Sequence, residues 1–558
     1  MIIILGVWTI ILAFCLLLGS AMLDRMMPEA FCNVTRIDVY FVMGLMILNV
    51  YAQIWSVFGG VGKKAFIVIT VTVLILLLCR LAQYKKRCAV ITIKKIATWK
   101  ICVTIAVSGY IMLLTIKSPE FVDTYLYHIQ SIRWIEEYGV VPGLGNLHNR
   151  FAYNSAFLPL QALLSFSWIM ESQHSLNGLL GCFFVIYAIV TNRIFTSEEN
   201  MLSDYLKLVI VPYVFLNHGN ISSPGTDMLA MLLVLYIVIK WSECIECHEK
   251  LQSYEVLCFI AIWAISVKIS AVMNILLVIY PAVLLVKNKY WKSIVKDLVC
   301  GIVIILPWFV RNVIISGYLV YPYSKIDLFP VDWKMPRDLL DYDKKEITVY
   351  ARGIQEVSRY GESITEWFGT WFRNQMPRNK ILIVFGLAAS IALLFIFVYI
   401  MIKGIRKNKI TGYIRYEGNR TLLISVILAG EIFWLFAAPL VRYGMVYLMM
   451  PMALCYYFAE KRIGEKLNRY VIIIGTCMIV SAILYRSPNF RLVFPQGYWT
   501  MEGIANDLEG VTVYSAPDGG ALSGYAYFPA VADKSVLTKI ELRGKDISSG
   551  FRPKKKTT

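Results

Sequence analysis

Charge is scarce in this chain: only 16% of its 558 residues are Asp, Glu, Lys or Arg, against 58% hydrophobic and 14% aromatic. Soluble domains carry about 25% charged residues, so a soluble globular enzyme is excluded. Heptads, low-complexity tracts and short repeats are missing too, which excludes coiled-coil and solenoid architectures. The opening MIIILGVWTI lacks the basic n-region of a secretory signal and is expected to be a retained first span. Cys244-Ile-Glu-Cys247-His248 matches a haem-attachment pattern, but its expected place at the cytoplasmic end of a span is the wrong face for haem. No second cysteine pair completes a structural zinc site. Most other cysteines (Cys15, Cys79, Cys102, Cys182, Cys258, Cys300, Cys455, Cys477) sit in apolar runs and act as small hydrophobes.

What is abundant is apolar sequence, with mean hydropathy +0.61. The fold class expected is an all-α polytopic membrane protein of about 13–14 transmembrane helices with a small C-terminal soluble α/β or β appendage. Spans are predicted near 3–20, 39–58, 65–82, 99–116, 176–195, 205–220, 226–241, 254–267, 270–287, 298–316, 380–402, 421–438, 443–459 and 470–485. Residues 1–98 form N-terminal spans, 99–485 a membrane core with external loops 117–171 and 317–379, and 486–558 the extracytoplasmic appendage.

The net charge of +18 suggests nucleic acid, yet its location argues otherwise. Seven Lys/Arg fall in 80–100, six in 403–420, four in 287–296 and four in 461–469, all short connections. That is the positive-inside pattern, and no nucleic-acid partner is expected. The 317–378 connection balances nine acidic against nine basic residues and reads as non-cytoplasmic. Treating 153–171 as a non-crossing or re-entrant helix keeps every large basic cluster inside.

The 119–154 stretch, PEFVDTYLYHIQSIRWIEEYGVVPGLGNLHNRFAYN, is a polar, aromatic-rich interruption. Val122, Leu126, Ile129, Ile132 and Ile135 recur on one side of a helix over 122–138, with Asp123, Tyr127, Gln130, Ser131 and Glu137 away from it. Such a helix is expected to lie flat in the membrane interface. Asp123 stands at its first turn, either as a simple cap or as a carboxylate held at the membrane surface for chemistry.

An Asp opening the first outer loop, the Tyr127-His128 pair and IRWIEEYG together resemble the first external loop of GT-C-type glycosyltransferases. That superfamily includes protein mannosyltransferases, oligosaccharyltransferase subunits and aminoarabinose transferases. VVPGLGNLHNR followed by FAYNS resembles uncharacterised bacterial multi-span proteins of GT-C type more closely. Asn220-Ile-Ser-Ser-Pro224-Gly-Thr-Asp227 stands where such enzymes place a second acidic loop. Pro307-Trp308-Phe309-Val310-Arg311-Asn312, with Gly317 and Tyr321-Pro322, and Pro439-Leu-Val-Arg442-Tyr443 are similar to their later motifs.

The resemblance implies sugar transfer from a polyprenyl-phosphate donor to a glycan, lipid or protein acceptor at the extracytoplasmic face of a bacterial plasma membrane. It makes Asp123 the general base and Arg442 the phosphate ligand, since guanidinium grips phosphate bidentately. Arg311, Lys268, His128, Tyr127, Asn146, Arg150 and Asp227 are the further substrate-binding candidates. Several have a plainer reading: Arg311 snorkelling at a helix end, Asp227 capping its span, His128 filling the interface, Asn146 and Arg150 shaping the loop. The usual paired acids of the first loop are here Asp123-Thr124, with Glu120 upstream, so no cofactor is expected and a divalent metal is disfavoured. Alternatives are an O-antigen-type polymerase or ligase working through outward Arg and His residues, and a transporter or flippase of lipid-linked sugars. Trp333, Trp367 and Trp371 of the long loop are expected either to stack on sugars or to anchor at the interface.

Overall fold

The computed structural model describes residues 1–84, 97–169, 174–194, 200–406, 410–460, 496–517 and 522–554. The predicted span 470–485 and the basic cluster 461–469 lie outside the described residues. Among the described residues, nine helices are long and apolar enough to cross a membrane: Ile2–Met26, Ile37–Phe58, Lys63–Leu81, Thr98–Thr115, Asp227–Glu246, Ile269–Lys287, Trp291–Ser316, Pro377–Tyr399 and Gly418–Ala437. Two shorter apolar helices, Leu176–Thr191 and Leu251–Val267, join them, as does Val441–Glu460.

Local sequence explains several boundaries. The Trp291–Ser316 helix stops at Gly317, which adopts the left-handed conformation with φ 82° that glycine tolerates best. Two helices near the N-terminus, Ile2–Met26 and Ile37–Phe58, cross at glycines. A Cβ at Gly19 would sit 1.9 Å from the Tyr40 carbonyl oxygen, and one at Gly44 1.9 Å from that of Cys15. Small residues there let the two backbones touch, the usual device of helix pairs in lipid.

Asp227–Glu246 is the central helix, buried along its whole apolar window. One expected span is corrected. The 205–220 segment is two short helices, Leu202–Leu208 and Ile210–Leu216, with Pro212 in the second. In 153–171, expected not to cross, the helix is only Phe157–Leu163, buried throughout and far too short to span a bilayer.

A second hydrophobic core is assembled from three distant parts of the chain. Trp134, Val141, Leu144 and Phe151 of the first loop meet Ile315 at the end of the Trp291–Ser316 helix and Tyr318, Met335 and Leu340 of the long loop. Val513, Val531, Leu542 and Phe551 of the C-terminal region complete it. That region holds an antiparallel hairpin, Ile504–Leu508 with Val511–Ser515, extended by Ala530–Val531 in parallel. A separate pair joins Ile540–Leu542 to Phe551–Pro553. The hairpin turns through Glu509 and Gly510, both at positive φ, as tight two-residue turns require. The C-terminal region is thus strand-built, as expected, but its apolar side is shared with the loops.

The expectation of a helix lying flat in an interface also fails. Residues 124–128 form one π-type turn that runs into the α-helix Ile129–Glu137. Both faces are covered: Ile129 and Ile132 are fully buried, and so is Gln130. Val122 instead is exposed. The polar face is hidden because the C-terminal region lies on it. Gln130 Nε2 donates to the carbonyls of Gly524 (2.9 Å) and Tyr527 (2.8 Å), and its Oε1 accepts from Ala530 N–H at 3.2 Å. Arg133 donates to Tyr525 and Ala526.

Candidate functional site

Four elements bring charge to one place at the loop end of the bundle. Asp123 precedes the π turn, Asp227 begins the central helix, Lys268 follows the Leu251–Val267 helix, and Arg442 lies in the first turn of Val441–Glu460. Arg442 Nη2 donates to Asp123 Oδ2 at 2.7 Å, across 319 positions of sequence. Its Nε lies 3.4 Å from Asp227 Oδ2, and Lys268 Nζ pairs with the other oxygen of Asp227. Arg442 therefore bridges two carboxylates, and the cluster of two anions and two cations is neutral. Aromatic rings wall it. Lys268 Nζ stands 3.6 Å from the Tyr443 ring centre, and the Arg442 guanidinium 4.6 Å from that of Phe121.

Neither carboxylate acts as a helix cap. Asp123 makes no side-chain capping bond, and the cap position before Asp227 is Thr226, also without one. Both carboxylates are spent on the cations instead. His128 packs 4.2 Å from Tyr127 between ring centres. It is buried beside Asp123, Asp227, Arg442 and Lys268, and burial pulls its imidazole down to about 4, so it is neutral at physiological pH. Burial and the neighbouring carboxylates push the Tyr127 phenol well up. Among the described residues, no group of three His, Cys, Asp or Glu is placed to hold a metal ion.

The model of the family described as Domain of unknown function (DUF8201) matches residues 1–449. The chain belongs to that family. No curated protein and no solved structure matches it. The matched stretch of the DUF8201 chain contains every residue of the cluster.

Of the nine sequence-selected residues, six converge here: Asp123, Tyr127, His128, Asp227, Lys268 and Arg442. The other three hold structure. Asn146 donates its amide to the Trp333 carbonyl at 2.8 Å and the Phe551 carbonyl at 3.4 Å, tying the first loop to the other two regions. Arg150 pairs with Glu346 at 2.9 Å and Asp343 at 3.5 Å. Asp343 is a fully buried hub that also accepts from Asn149, Tyr153 and Tyr321. Arg311 does not snorkel; it is 1% exposed. Its Nε donates to Asn154 Oδ1 at 3.0 Å and its Nη1 to Ser56. Trp308 Nε1 and Asn312 also bond Asn154, so the Pro-Trp..Arg-Asn motif is a clamp on the FAYNS turn.

The tryptophans of the long loop are likewise structural. Trp367 and Trp371 are buried, Trp371 Nε1 donating to the Pro439 carbonyl at 2.9 Å. Trp333 lies under the Arg543 guanidinium. Sequence reasoning missed Phe121, the Asp343 hub and the C-terminal strip 496–499. Gln496 N–H donates to Ile116 O at 2.8 Å, and Trp499 stacks on Tyr125 with ring centres 5.0 Å apart. A narrow crevice runs between Lys117, Pro119, Ser222 and Tyr498, beside the cluster's loops.

The polar investment is not confined to the loop end. Toward the other end of the central helix, Lys240 pairs with Asp38 and Glu243, both at 2.8 Å. Lys207 pairs with Glu243 at 2.8 Å and Asp204 at 3.4 Å, and Arg193 with Asp204 at 2.9 Å.

Proposed function

We propose that the protein is a membrane glycosyltransferase that moves a sugar from a polyprenyl-phosphate donor to a hydroxyl acceptor at the extracytoplasmic face, with Asp123 as general base. The observation that carries this reading is the 2.7 Å contact between the Asp123 carboxylate and the Arg442 guanidinium, with Lys268 and Asp227 joined to it. Glycosyl transfer needs these two kinds of group together: a base for the acceptor proton and cations for the phosphate as it leaves.

In the resting cluster the base is tied up by the cation. An incoming phosphate competes for Arg442 and Lys268, and that exchange frees Asp123. The acceptor oxygen then forms a bond to the anomeric carbon as the carbon–oxygen bond to phosphate breaks. The leaving polyprenyl phosphate keeps the bonding electrons against Arg442 and Lys268, and the acceptor proton passes to Asp123. Configuration inverts, because attack and departure occur on opposite sides of the ring. Phe121 and Tyr443 pack their rings against the guanidinium and lower the polarity around it, which strengthens its hold on the phosphate.

The test is sugar transfer by the purified full chain in lipid nanodiscs, using undecaprenyl phosphates carrying single hexoses. Asp123→Asn, which keeps the shape of the side chain, is expected to lower transfer by about 10²–10⁴-fold while the protein still binds undecaprenyl phosphate. Arg442→Ala is expected to weaken that binding. Wild-type transfer by Asp123→Asn removes Asp123 as base. Loss of transfer in Arg442→Ala with Asp123→Asn fully active points instead to the polymerase or ligase chemistry that relies on Arg.

A further inference from the structure

Beside the ion-pair cluster, several buried polar atoms have no hydrogen-bond partner among the described residues. Both ring nitrogens of His128 are unpaired at 3% exposure, and Asn220 Oδ1 is unpaired at 5%. Each such group costs roughly 1–3 kcal/mol when left unmet. These groups meet at Gly225. A Cβ placed on that glycine would lie 3.3 Å from Ser223 Oγ, 3.5 Å from Asn220 Oδ1 and 3.5 Å from His128 Cε1. Ser223, Asn220 and His128 thus form a polar wall facing the bare Gly225 Cα, at distances where a methyl would be in van der Waals contact with it. The wall is built rigidly. Asn177 Nδ2 donates to the carbonyls of Ser223 and Gly225, both at 2.8 Å, and the Thr124 hydroxyl is bonded to Ser223 Oγ at 2.8 Å.

We propose that His128 and Asn220, facing the bare backbone of Gly225, form a subsite for one hydroxyl of the sugar ring carried by the lipid-linked donor. The proposal rests on the glycosyl-transfer reading and deepens it by separating two jobs. The cations of Arg442 and Lys268 take the phosphate, and the neutral subsite beside them takes the ring.

Donor and acceptor counting favours a hydroxyl over other groups. A neutral imidazole offers one N–H donor and one bare nitrogen, and an amide oxygen only accepts. A hydroxyl can give its hydrogen to Asn220 Oδ1 and accept from the His128 N–H. A phosphate oxygen has no hydrogen for Asn220 Oδ1 and would face an uncharged ring. Burial holds that ring neutral, so the subsite discriminates against the charged end of the donor.

The experiment measures binding of the full chain in nanodiscs to bare undecaprenyl phosphate and to undecaprenyl phosphates carrying glucose, galactose or mannose. Two variants are compared with wild type, Gly225→Ala and His128→Leu. Gly225 is outside the left-handed region, so alanine keeps the backbone and sets a methyl against Ser223, Asn220 and His128. Both variants are expected to weaken the tightest hexose-bearing lipid by about 10-fold or more, leaving bare lipid phosphate within about two-fold. Unchanged affinity of both variants for every hexose-bearing lipid overturns the subsite and leaves the transfer reading standing. A parallel loss of bare and sugar-bearing lipids overturns it as well, since that marks a general disturbance of the cluster. Wild-type protein that binds none of the lipids overturns the transfer reading and the subsite with it.

Discussion

The central helix Asp227–Glu246 carries a charged cluster toward each end, about 20 Å apart at 1.5 Å per residue. The far cluster is sealed. The side chains of Lys240 and Lys207 are 0% and 2% exposed, and each touches two carboxylates. Tyr236 and Tyr187 hydroxyls donate to Asp38 and Glu243. The near cluster is open: Asp123, Lys268 and Arg442 side chains are each 21–23% exposed. Beside it stand a buried histidine and an amide oxygen with no partner. A sealed network has no valence left for a ligand and acts to fix the packing of helices. A partly open one, with groups unmet, is what a binding site looks like before its ligand arrives. The same residue types therefore read as scaffold at one end and as chemistry at the other.

The contrast breaks most directly with matched lysine substitutions. Lys240→Ala leaves Asp38 and Glu243 buried without their shared cation and is expected to cost about 3–5 kcal/mol. Thermal melting of the detergent-solubilised protein should fall sharply, with poor recovery from the membrane. Lys268→Ala removes a partly exposed cation, and Asp227 keeps Arg442, so the expected loss is about 1 kcal/mol or less. Its effect should appear in lipid-phosphate binding instead. Equal drops in melting temperature for the two variants would erase the distinction between scaffold and site.

The far cluster also marks where sequence reading runs out. The apolar runs were legible because length and hydropathy alone decide a span, and most predicted spans coincide with helices. Asp123, Asp227 and Arg442 were legible as polar residues at the ends of such runs. Asp343 was not: it is one acid among nine in a mixed loop, and only the fold shows Tyr153, Tyr321, Asn149 and Arg150 converging on it. Arg311 misled for the opposite reason. A cation near a helix end suggests an exposed group, whereas here Asn154 and Ser56 receive it inside the bundle. The helix at 129–137 showed a clean apolar face, but periodicity could not reveal that its polar face is covered. What covers it begins more than 350 residues later.

That covering sharpens the comparison, because the C-terminal region is bolted to the near end through Gln130 and Arg133. Gln130→Leu removes three hydrogen bonds to Gly524, Tyr527 and Ala530. At about 1 kcal/mol each, the expected local loss is roughly 1–3 kcal/mol. Limited proteolysis should then cleave the C-terminal region faster while the helical bundle melts nearly as before. Sugar transfer should fall with it, since Trp499 and Gln496 hold the segment next to Asp123. A global drop in bundle stability equal to that of Lys240→Ala would mean that the C-terminal region belongs to the scaffold.

The smallest expected effect is a pH dependence confined to the near end. His128 in the folded protein titrates at about 4, against an ordinary value of 6.5, chiefly because burial disfavours its charged form. Asp123 and Asp227 pull the other way, and Arg442 and Lys268 reinforce the depression. Between those two values the unfolded chain binds the extra proton, so stability rises with pH across the window. His128 therefore contributes nothing to lose above about pH 6.5 and an increasing penalty as pH falls toward about 4. His148, held down to about 4 by the same cause, adds a parallel penalty. His128→Leu should shallow the acid-side decline in melting temperature without abolishing it, because His148 still titrates. An unchanged acid slope in His128→Leu would mean that His128 is already charged when folded, and a charged imidazole would make the near end a second phosphate site.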